Sequence, residues 1–207
     1  MSIFAVPRGG GKIIKEVTIT RKTNETDISL TFNLYGKGRR EVSTGIGFFD
    51  HMLELFASHG RFDLAVSCKG DVHVDGHHTV EDVGICLGQA FAGALGEKRG
   101  VTRYGSVILP MDEALILAAA DLSGRAHLSL EADVPAEAGG FGRELLEEFL
   151  TAFVRAAGIT LHVNVLAGKN SHHIIEAIFK GLGRALQSAA APDPGIGDEI
   201  PSTKGVL

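Results

Sequence analysis

The sequence lacks any apolar run that approaches the ~20 residues of a membrane-spanning helix, so no membrane is an expected partner. It also lacks a long basic run, and its net charge of −5 predicts no general attraction to nucleic acid. Only two cysteines occur, Cys68 and Cys86, and each lies in an apolar pattern. Such cysteines are typical of buried, reduced thiols rather than of a disulfide framework. Any anionic ligand is therefore expected to be small and locally bound.

The overall composition, with 44% hydrophobic and 22% charged residues, is ordinary for a globular protein that buries a core. The opening segment MSIFAVPRGGGK has too short an apolar stretch for a secretory signal and no small-residue cleavage site. We interpret residues 1–12 as a flexible lead-in, and the absence of a signal predicts a cytoplasmic location.

The first half of the chain changes from strand periodicity to helix periodicity. Alternating runs occur in KEVTITRKT, TDISLTFNLYG and REVSTG, which predicts three strands joined by hairpins. The segment GFFDHMLELFASHG has helical spacing, and Gly60 is expected to close that helix. RFDLAVSCKG then alternates as a strand, and a second helix is predicted from Thr79 to about Leu95.

The second half repeats this order of elements. Strands are predicted in RYGSVILPM, ALILAAADL, AHLSLEA and ITLHVNVLA, and helices in RELLEEFLTAFVRAAG and from His172 to about Gln187. Three landmarks recur in order: Gly38-Arg39 with Gly124-Arg125, a helix ending at Gly60 with one ending at Gly158, and His77-His78-Thr79-Val80-Glu81 with His172-His173-Ile174-Ile175-Glu176. This self-similarity indicates an internal duplication.

The pattern predicts an α+β fold of two βββαβα halves, residues 13–99 and 100–190. Each half is expected to form a four-stranded, mostly antiparallel sheet with two helices on one face. The acidic, glycine-rich segment 136–142 is predicted to be a surface loop, and residues 191–207 form a C-terminal tail.

The repeated His-His-x-x-Glu motif carries the chemistry. At ~100° per residue, the first His and the Glu lie about 40° apart around a helix, while the two His lie about 100° apart. One histidine pair can therefore face two different centres. Imidazole and carboxylate suit manganese, iron, zinc or nickel, and the cluster contains no thiolate. Two metal ions per chain are the natural expectation.

Further ligands are expected from the helix that precedes each motif. His51 is the candidate in the first half, and its counterpart under the repeat is Glu148. A solvated helix carboxylate is the alternative for Glu148, because acidic side chains are normally exposed. The other four histidines have no matching motif and are expected either to be structural or to support the site residues through hydrogen bonds: His59, His73, His127 and His162.

At these residues the chain closely resembles the imidazoleglycerol-phosphate dehydratase family, in its monofunctional form. Seven collinear segments carry the resemblance from Arg21 to Leu207: RKTNETDI, FFDHMLELFASHGRFDL, DGHHTVEDVG, TRYGS with MDEAL, DLSGR, GKNSHHIIEAIFK and PSTKGVL. The resemblance implies dehydration of D-erythro-imidazole glycerol phosphate in histidine biosynthesis, with two Mn²⁺ per subunit. It implies the metal ligands His51, His77, His78, Glu81, Glu148, His172, His173 and Glu176, of which Glu148 departs from the His found in some members.

The resemblance also implies substrate-contacting residues. The phosphate would be bound by Arg103, Arg125, Lys180, Ser202 and Lys204, groups whose charged and hydroxyl donors suit an anion. The expected catalytic residues are Glu25, an acid/base candidate in a turn, together with His77, Glu81, His172 and Glu176. Asp112 and Glu113 stay open, since they could orient ligands or cap a hairpin. The family implies a homo-oligomer of twenty-four subunits with sites at subunit interfaces.

Two other classes of function remain open from the residues alone. A binuclear hydrolase of phosphate esters also needs paired His and Glu ligands and basic residues. A non-catalytic metal-binding scaffold would explain the repeat and the ligands, but not the basic residues.

Overall fold

The computed structural model of the chain describes residues 16–207, so the predicted lead-in of residues 1–12 lies outside the described part. The first half comprises β1 (Glu16–Lys22), β2 (Thr26–Asn33), β3 (Arg40–Ser43), α1 (Gly47–Gly60), β4 (Asp63–Gly70) and α2 (His77–Leu95). The second half comprises β5 (Tyr104–Met111), β6 (Ala114–Asp121), β7 (His127–Glu131), α3 (Arg143–Ala157), β8 (Thr160–Ala167) and α4 (Ser171–Ala189). The predicted duplicated α+β fold is confirmed.

The two sheets have the same topology, β1-β2-β4-β3 and β5-β6-β8-β7. The prediction that the first three strands are joined by hairpins is wrong for β3. This strand pairs in parallel with β4, at the far edge from β1, and β7 pairs in parallel with β8. A helix separates the two strands of each parallel pair, and such a crossover joins parallel neighbours that no tight turn can connect. All other pairs are antiparallel.

The four helices pack between the two sheets. Helix α2 contacts β1, β2 and β4, helix α4 contacts β5 and β6, and the halves meet through α2 with α3 and α1 with α4. Strand β6 alternates strictly between buried and partly buried residues, as expected for a sheet with one face on the core. Phe49 lies in this core in ring contact with Phe141, Phe149 and Phe179.

Both helix pairs come close through a glycine. A Cβ at Gly88 of α2 would lie 2.5 Å from the carbonyl oxygen of Phe153 in α3, and one at Gly183 of α4 would lie 2.5 Å from that of Phe56 in α1. Such distances leave no room for a side chain. The close contacts fix how the amino-terminal turns of α2 and α4 sit beside α3 and α1.

Three local features refine the sequence predictions. Gly60 is the last residue of α1, but the left-handed residue that caps it is Arg61 (φ 55°). A Cβ at Gly60 would lie 2.2 Å from the Phe62 ring, so the glycine is required for packing. Segment 136–142 is mostly exposed, yet Phe141 within it is fully buried.

Cys68 and Cys86 are buried and unpaired, as predicted. Burial raises the pKa of Cys68 to about 11 and that of Cys86 to about 12, so both thiols stay protonated. Among the helices of residues 16–207, none is long and apolar enough to cross a membrane.

Candidate metal centres and active site

The first candidate metal centre lies between α1 and α4. His51 projects from α1, while His172 and Glu176 lie one turn apart at the start of α4. The His172 Nε2 is 3.1 Å from Glu176 Oε2, and the His51 Nε2 is 4.0 Å from the same oxygen. The ligand atoms of the three residues all lie within 4.8 Å of one another, and we call this group the α1/α4 centre.

A second centre lies between α2 and α3. It is formed by His77 and Glu81 of α2 with Glu148 of α3, again with all ligand atoms within 4.8 Å of one another. The sequence left open whether Glu148 is a ligand or a solvated carboxylate. In the structure it lies with the motif residues, at the position that His51 occupies in the α1/α4 centre. We call this group the α2/α3 centre. Each centre combines a motif from one half with a helix of the other half, so the expectation that the helix preceding a motif supplies that motif's further ligand is wrong.

The donor sets of both centres fit a divalent transition-metal ion. Each centre offers imidazole nitrogens and carboxylate oxygens, and neither ligand group includes a cysteine. Each has three candidate protein ligands, which leaves coordination positions for substrate or for further side chains. Several metals suit such a set, so the ligand types alone do not choose between manganese and its neighbours.

The ammonium group of a lysine also lies at the α1/α4 centre. Lys180 lies one turn beyond Glu176, and its Nζ is 2.6 Å from Glu176 Oε1. The Lys180 ammonium also contacts the Met111 sulfur at 3.3 Å. Burial works to raise the pKa of Glu176, but the hydrogen bond and charge of Lys180, aided by His172, outweigh it and lower the pKa. Glu176 is therefore a carboxylate.

The second histidine of each motif faces away from these centres. The rings of His77 and His78 stand at 89° to each other, and those of His172 and His173 at 82°. His78 Nδ1 lies 3.0 Å from Asp71 Oδ2, and its Nε2 lies 3.7 Å from Glu25 Oε1. The predicted ligand and the predicted acid/base are thus neighbours.

The second half has the same arrangement with other residues. His173 Nδ1 lies 2.6 Å from Glu113 Oε2, and its Nε2 lies 3.7 Å from Asp112 Oδ2. The hydrogen bonds with Asp71 and Glu113 raise the pKa of His78 and His173. His173 and the backbone N–H of Asn170 lower the pKa of Glu113 to about 2.

Sequence reasoning missed Asp71 and left Glu113 open. Asp71 directly follows β4 and has no motif of its own, so only the fold brings it to His78. Glu113 takes the first of the two roles left open, because it contacts His173, and its Oε1 accepts hydrogen bonds from the backbone N–H groups of Lys169 and Asn170 in the loop before α4 rather than from the hairpin. Asn170 in turn caps α4, because its side chain accepts from the N–H groups of His172 and His173.

The predicted phosphate-binding residues are divided within one chain. Arg103 pairs with Asp121 at 2.8 Å and donates from Nη1 to the carbonyl of Pro201 at 2.8 Å, so it lies against the tail. The Arg103 N–H also donates to the carbonyl of Ala189 at the end of α4. Lys180 lies nine residues before Ala189 in α4, about 13 Å along the helix at 1.5 Å per residue. Its side chain extends toward Glu176, further from Arg103.

Arg125, Ser202 and Lys204 lie at the surface, Ser202 half-buried and the other two exposed. Lys98, which the sequence did not single out, lies on the Arg103 side: burial lowers its pKa, with Arg103 acting in the same direction and Asp121 opposing. A Cβ at Gly124 would lie 3.6 Å from Lys98 Nζ and 2.8 Å from the carbonyl carbon of Leu207. Basic groups and the chain end therefore meet at this side of the molecule.

None of the remaining histidines belongs to the ligand groups of the two centres. His59 lies near Lys180 and Arg184, and burial followed by these two charges lowers its pKa. His73 is exposed in the loop before α2. The rings of His127 and His162 lie 5.8 Å apart on neighbouring strands.

Comparison with known proteins identifies the family. A family model described as imidazoleglycerol-phosphate dehydratase matches residues 44–186. A protein of that name from Roseobacter denitrificans is 57% identical over 191 residues, which span 92% of this chain and 98% of the relative. The chain belongs to the imidazoleglycerol-phosphate dehydratase family.

An imidazoleglycerol-phosphate dehydratase from Acetivibrio thermocellus is 56% identical over 194 residues, 93% of this chain and 99% of the relative. Among solved structures, the enzyme of this family from Pyrococcus furiosus, in complex with (S)-C348, has a TM-score of 0.80 at 38% identity and covers 91% of this chain and 100% of its own. The one from Staphylococcus aureus has a TM-score of 0.78 at 36% identity and covers 86% and 99%. The imidazoleglycerol-phosphate dehydratase fold therefore extends over nearly the whole chain.

Proposed function

We propose that this chain is a hydro-lyase that removes water from imidazoleglycerol phosphate in histidine biosynthesis, giving imidazole acetol phosphate. One observation carries the proposal: a chain of this family has two clusters of imidazole and carboxylate groups, each with its ligand atoms within 4.8 Å of one another. A polar, phosphorylated imidazole offers nitrogen and hydroxyl groups that suit such clusters.

Two Mn²⁺ ions per chain are part of this proposal. His51, His172 and Glu176 would hold one ion, and His77, Glu81 and Glu148 the other. When bound, each ion supplies Lewis-acid stabilisation of negative charge on the substrate. The protein's part is to hold the ligands ready, which Asn170 does by capping the helix that carries His172.

Glu25 is the proposed acid/base group. The reaction removes a carbon-bound proton and a hydroxyl group, so a carboxylate beside the reacting carbons can take up the proton or protonate the leaving oxygen. Glu25 lies in the turn between β1 and β2, with its Oε1 3.7 Å from His78 Nε2, and its side chain is half exposed. It is therefore open to a substrate that reaches His78.

We further propose that complete sites form between copies of the chain, in a homo-oligomer of twenty-four subunits. Two observations support intersubunit sites. His78 and His173 lie outside the two centres, each with Nε2 facing a carboxylate at 3.7 Å. Arg103 and Lys180, both proposed to bind one phosphate, lie apart within one chain. Arg103 directly precedes β5 and donates to the carbonyl of Ala189 at the end of α4, whereas Lys180 contacts Met111 at the other end of β5. A neighbouring copy can supply what one chain separates.

In such an assembly the phosphate would meet Arg103, Arg125 and Lys180 together with Ser202 and Lys204 of the tail. Guanidinium and ammonium groups give charge-assisted hydrogen bonds to phosphate oxygens. We also propose a cytoplasmic location, which the reduced, buried thiols of Cys68 and Cys86 suit because disulfides are rare there.

The decisive test is turnover of imidazoleglycerol phosphate by the chelator-stripped full chain, before and after Mn²⁺ is added. Loss of one water mass only in the presence of Mn²⁺ would support both the reaction and the metal. Release of inorganic phosphate would instead identify a phosphate-ester hydrolase. No reaction with metal bound would leave a metal-binding scaffold.

A further inference from the structure

The internal duplication lets the two centres be compared position by position within one chain. They share a histidine and a glutamate one turn apart at the start of a helix, His77 with Glu81 and His172 with Glu176. They differ at two positions. The ligand from the other half is His51 in one centre and Glu148 in the other, and the residue one turn after the shared glutamate is Lys180 in one and Ile85 in the other.

In the α1/α4 centre the carboxylate already has a cation. The 2.6 Å ion pair of Lys180 with Glu176 is enclosed, with only 15% of the lysine side chain and 9% of the glutamate side chain exposed. Enclosure reduces screening by water, so the Lys180 charge acts more strongly on anything that Glu176 binds than the charge of an exposed lysine would. With neutral imidazoles on His51 and His172, this centre and its lysine sum to no net charge.

In the α2/α3 centre two carboxylates face one another without a cation. Glu81 and Glu148 are half-buried, and over residues 16–207 neither forms an ion pair with a lysine or arginine. Glu147, the neighbour of Glu148 on α3, has its own exposed partner in Arg143 at 3.8 Å. With a neutral His77 this centre carries two negative charges, whose mutual repulsion a divalent ion would relieve.

We infer that the two centres are not equivalent: the α2/α3 centre binds the divalent ion tightly and fills first, while the α1/α4 centre binds it weakly, fills last and loses it first. The inference rests on the function proposed above and adds an order of metal loading to it. The reason is the charge of the ligand set, which tunes the affinity of carboxylate sites for divalent cations over orders of magnitude. Lys180 opposes an incoming cation in one centre, and Glu148 attracts it in the other.

The test is a titration of the chelator-stripped full chain with Mn²⁺, in which the electron paramagnetic resonance signal of free Mn²⁺ reports the amount bound. We expect two classes of site in equal number, with dissociation constants separated by about tenfold or more, as a difference in ligand charge gives. Glu148→His gives the α2/α3 centre the same ligand type that His51 gives the α1/α4 centre, and it should weaken Mn²⁺ binding to the tight class of site. Lys180→Met should tighten Mn²⁺ binding to the weak class of site, which also brings the two dissociation constants closer together.

Two matched variants control for charge in general. Lys180→Arg keeps the cation and should keep the separation, and Glu147→Gln removes a carboxylate next to Glu148 that belongs to no centre and should also keep it. A single class of two equal sites would overturn the inference and leave the proposed function standing. The same holds if neither Glu148→His nor Lys180→Met moves the class assigned to it. A chain that binds no Mn²⁺ would overturn the inference together with the two-metal proposal.

Discussion

The imidazole of His173 and the carboxylate of Glu113 form a 2.6 Å hydrogen bond across sixty residues of sequence. Because the pKa of Glu113 is lowered to about 2, this group is an acceptor at neutral pH, and His173 Nδ1 must carry the donated proton. That tautomer leaves the lone pair on Nε2, the nitrogen then available to a metal ion. Carboxylates in this position orient metal-binding histidines and increase their basicity.

Glu113→Gln should weaken Mn²⁺ binding by about tenfold or more, as loss of such an outer partner does. Glutamine keeps an oxygen for the N–H groups of Lys169 and Asn170, so the loop before α4 should stay in place. A Mn²⁺ titration of the variant beside Glu131→Gln, an exposed glutamate on β7, separates this effect from a general loss of charge. Equal affinities in the two variants would remove Glu113 from the metal chemistry.

The sequence predicted which residues of each motif lie on one helix face better than it predicted what surrounds them. The spacing in His-His-x-x-Glu places His172 and Glu176 on one face of a helix and turns His173 away, which needs only helix geometry. Asp71, in contrast, meets His78 only because β4 ends beside the start of α2. The parallel pairing of β3 with β4 was missed for a related reason: alternation predicts a strand but does not name its partner.

Glu25→Gln should leave Mn²⁺ binding unchanged and lower kcat by about 10²-fold to 10⁴-fold, the range for a positioned acid/base group. Glutamine keeps the size of the side chain and the turn held by Thr23, whose hydroxyl accepts from the Glu25 N–H. The checks are steady-state turnover and a Mn²⁺ titration on the same preparation. If turnover stays near that of the unaltered protein, Glu25 has no part in the reaction.

Asp63 should make stability depend on pH. Burial tends to raise the pKa of Asp63, but hydrogen bonds from the Arg39 side chain and from the N–H groups of Lys37 and Arg39 lower it to about 2. A carboxyl group whose pKa is lowered on folding stabilises the fold above its unfolded pKa near 4, and this contribution is lost as the pH falls toward 2.

Asp63→Asn should therefore lower the free energy of unfolding by up to roughly 2 kcal/mol at pH 7, with the difference shrinking below about pH 4. Urea unfolding at several pH values, on metal-free protein at one concentration, measures it. The control is Asp27→Asn, which breaks an exposed pair with Lys22 and should cost less than about 1 kcal/mol. A difference that does not change between pH 7 and pH 3 would contradict the assignment to charge.

Removal of the metal should reduce the size of the assembled particle. If ligands come from more than one chain, metal binding and assembly stabilise each other, and stripping one weakens the other. Light scattering on chelator-treated and Mn²⁺-loaded protein gives the two masses. A single mass under both conditions would mean that assembly does not depend on the metal, and intersubunit ligation would lose its support.

Truncation after Ile200 should raise KM for imidazoleglycerol phosphate while Mn²⁺ binding is kept. The cut removes Ser202 and Lys204, and also the Pro201 carbonyl that accepts a hydrogen bond from Arg103 at 2.8 Å. The Arg103 side chain would stay paired with Asp121, so the loss should fall on phosphate contact rather than on the fold.

The full-length variant Ser202→Ala with Lys204→Met separates side chains from backbone: an equal rise in KM assigns the effect to the two side chains, and a smaller rise assigns the rest to the fixing of Arg103. A truncated chain with unchanged KM would show that the tail does not contact the substrate.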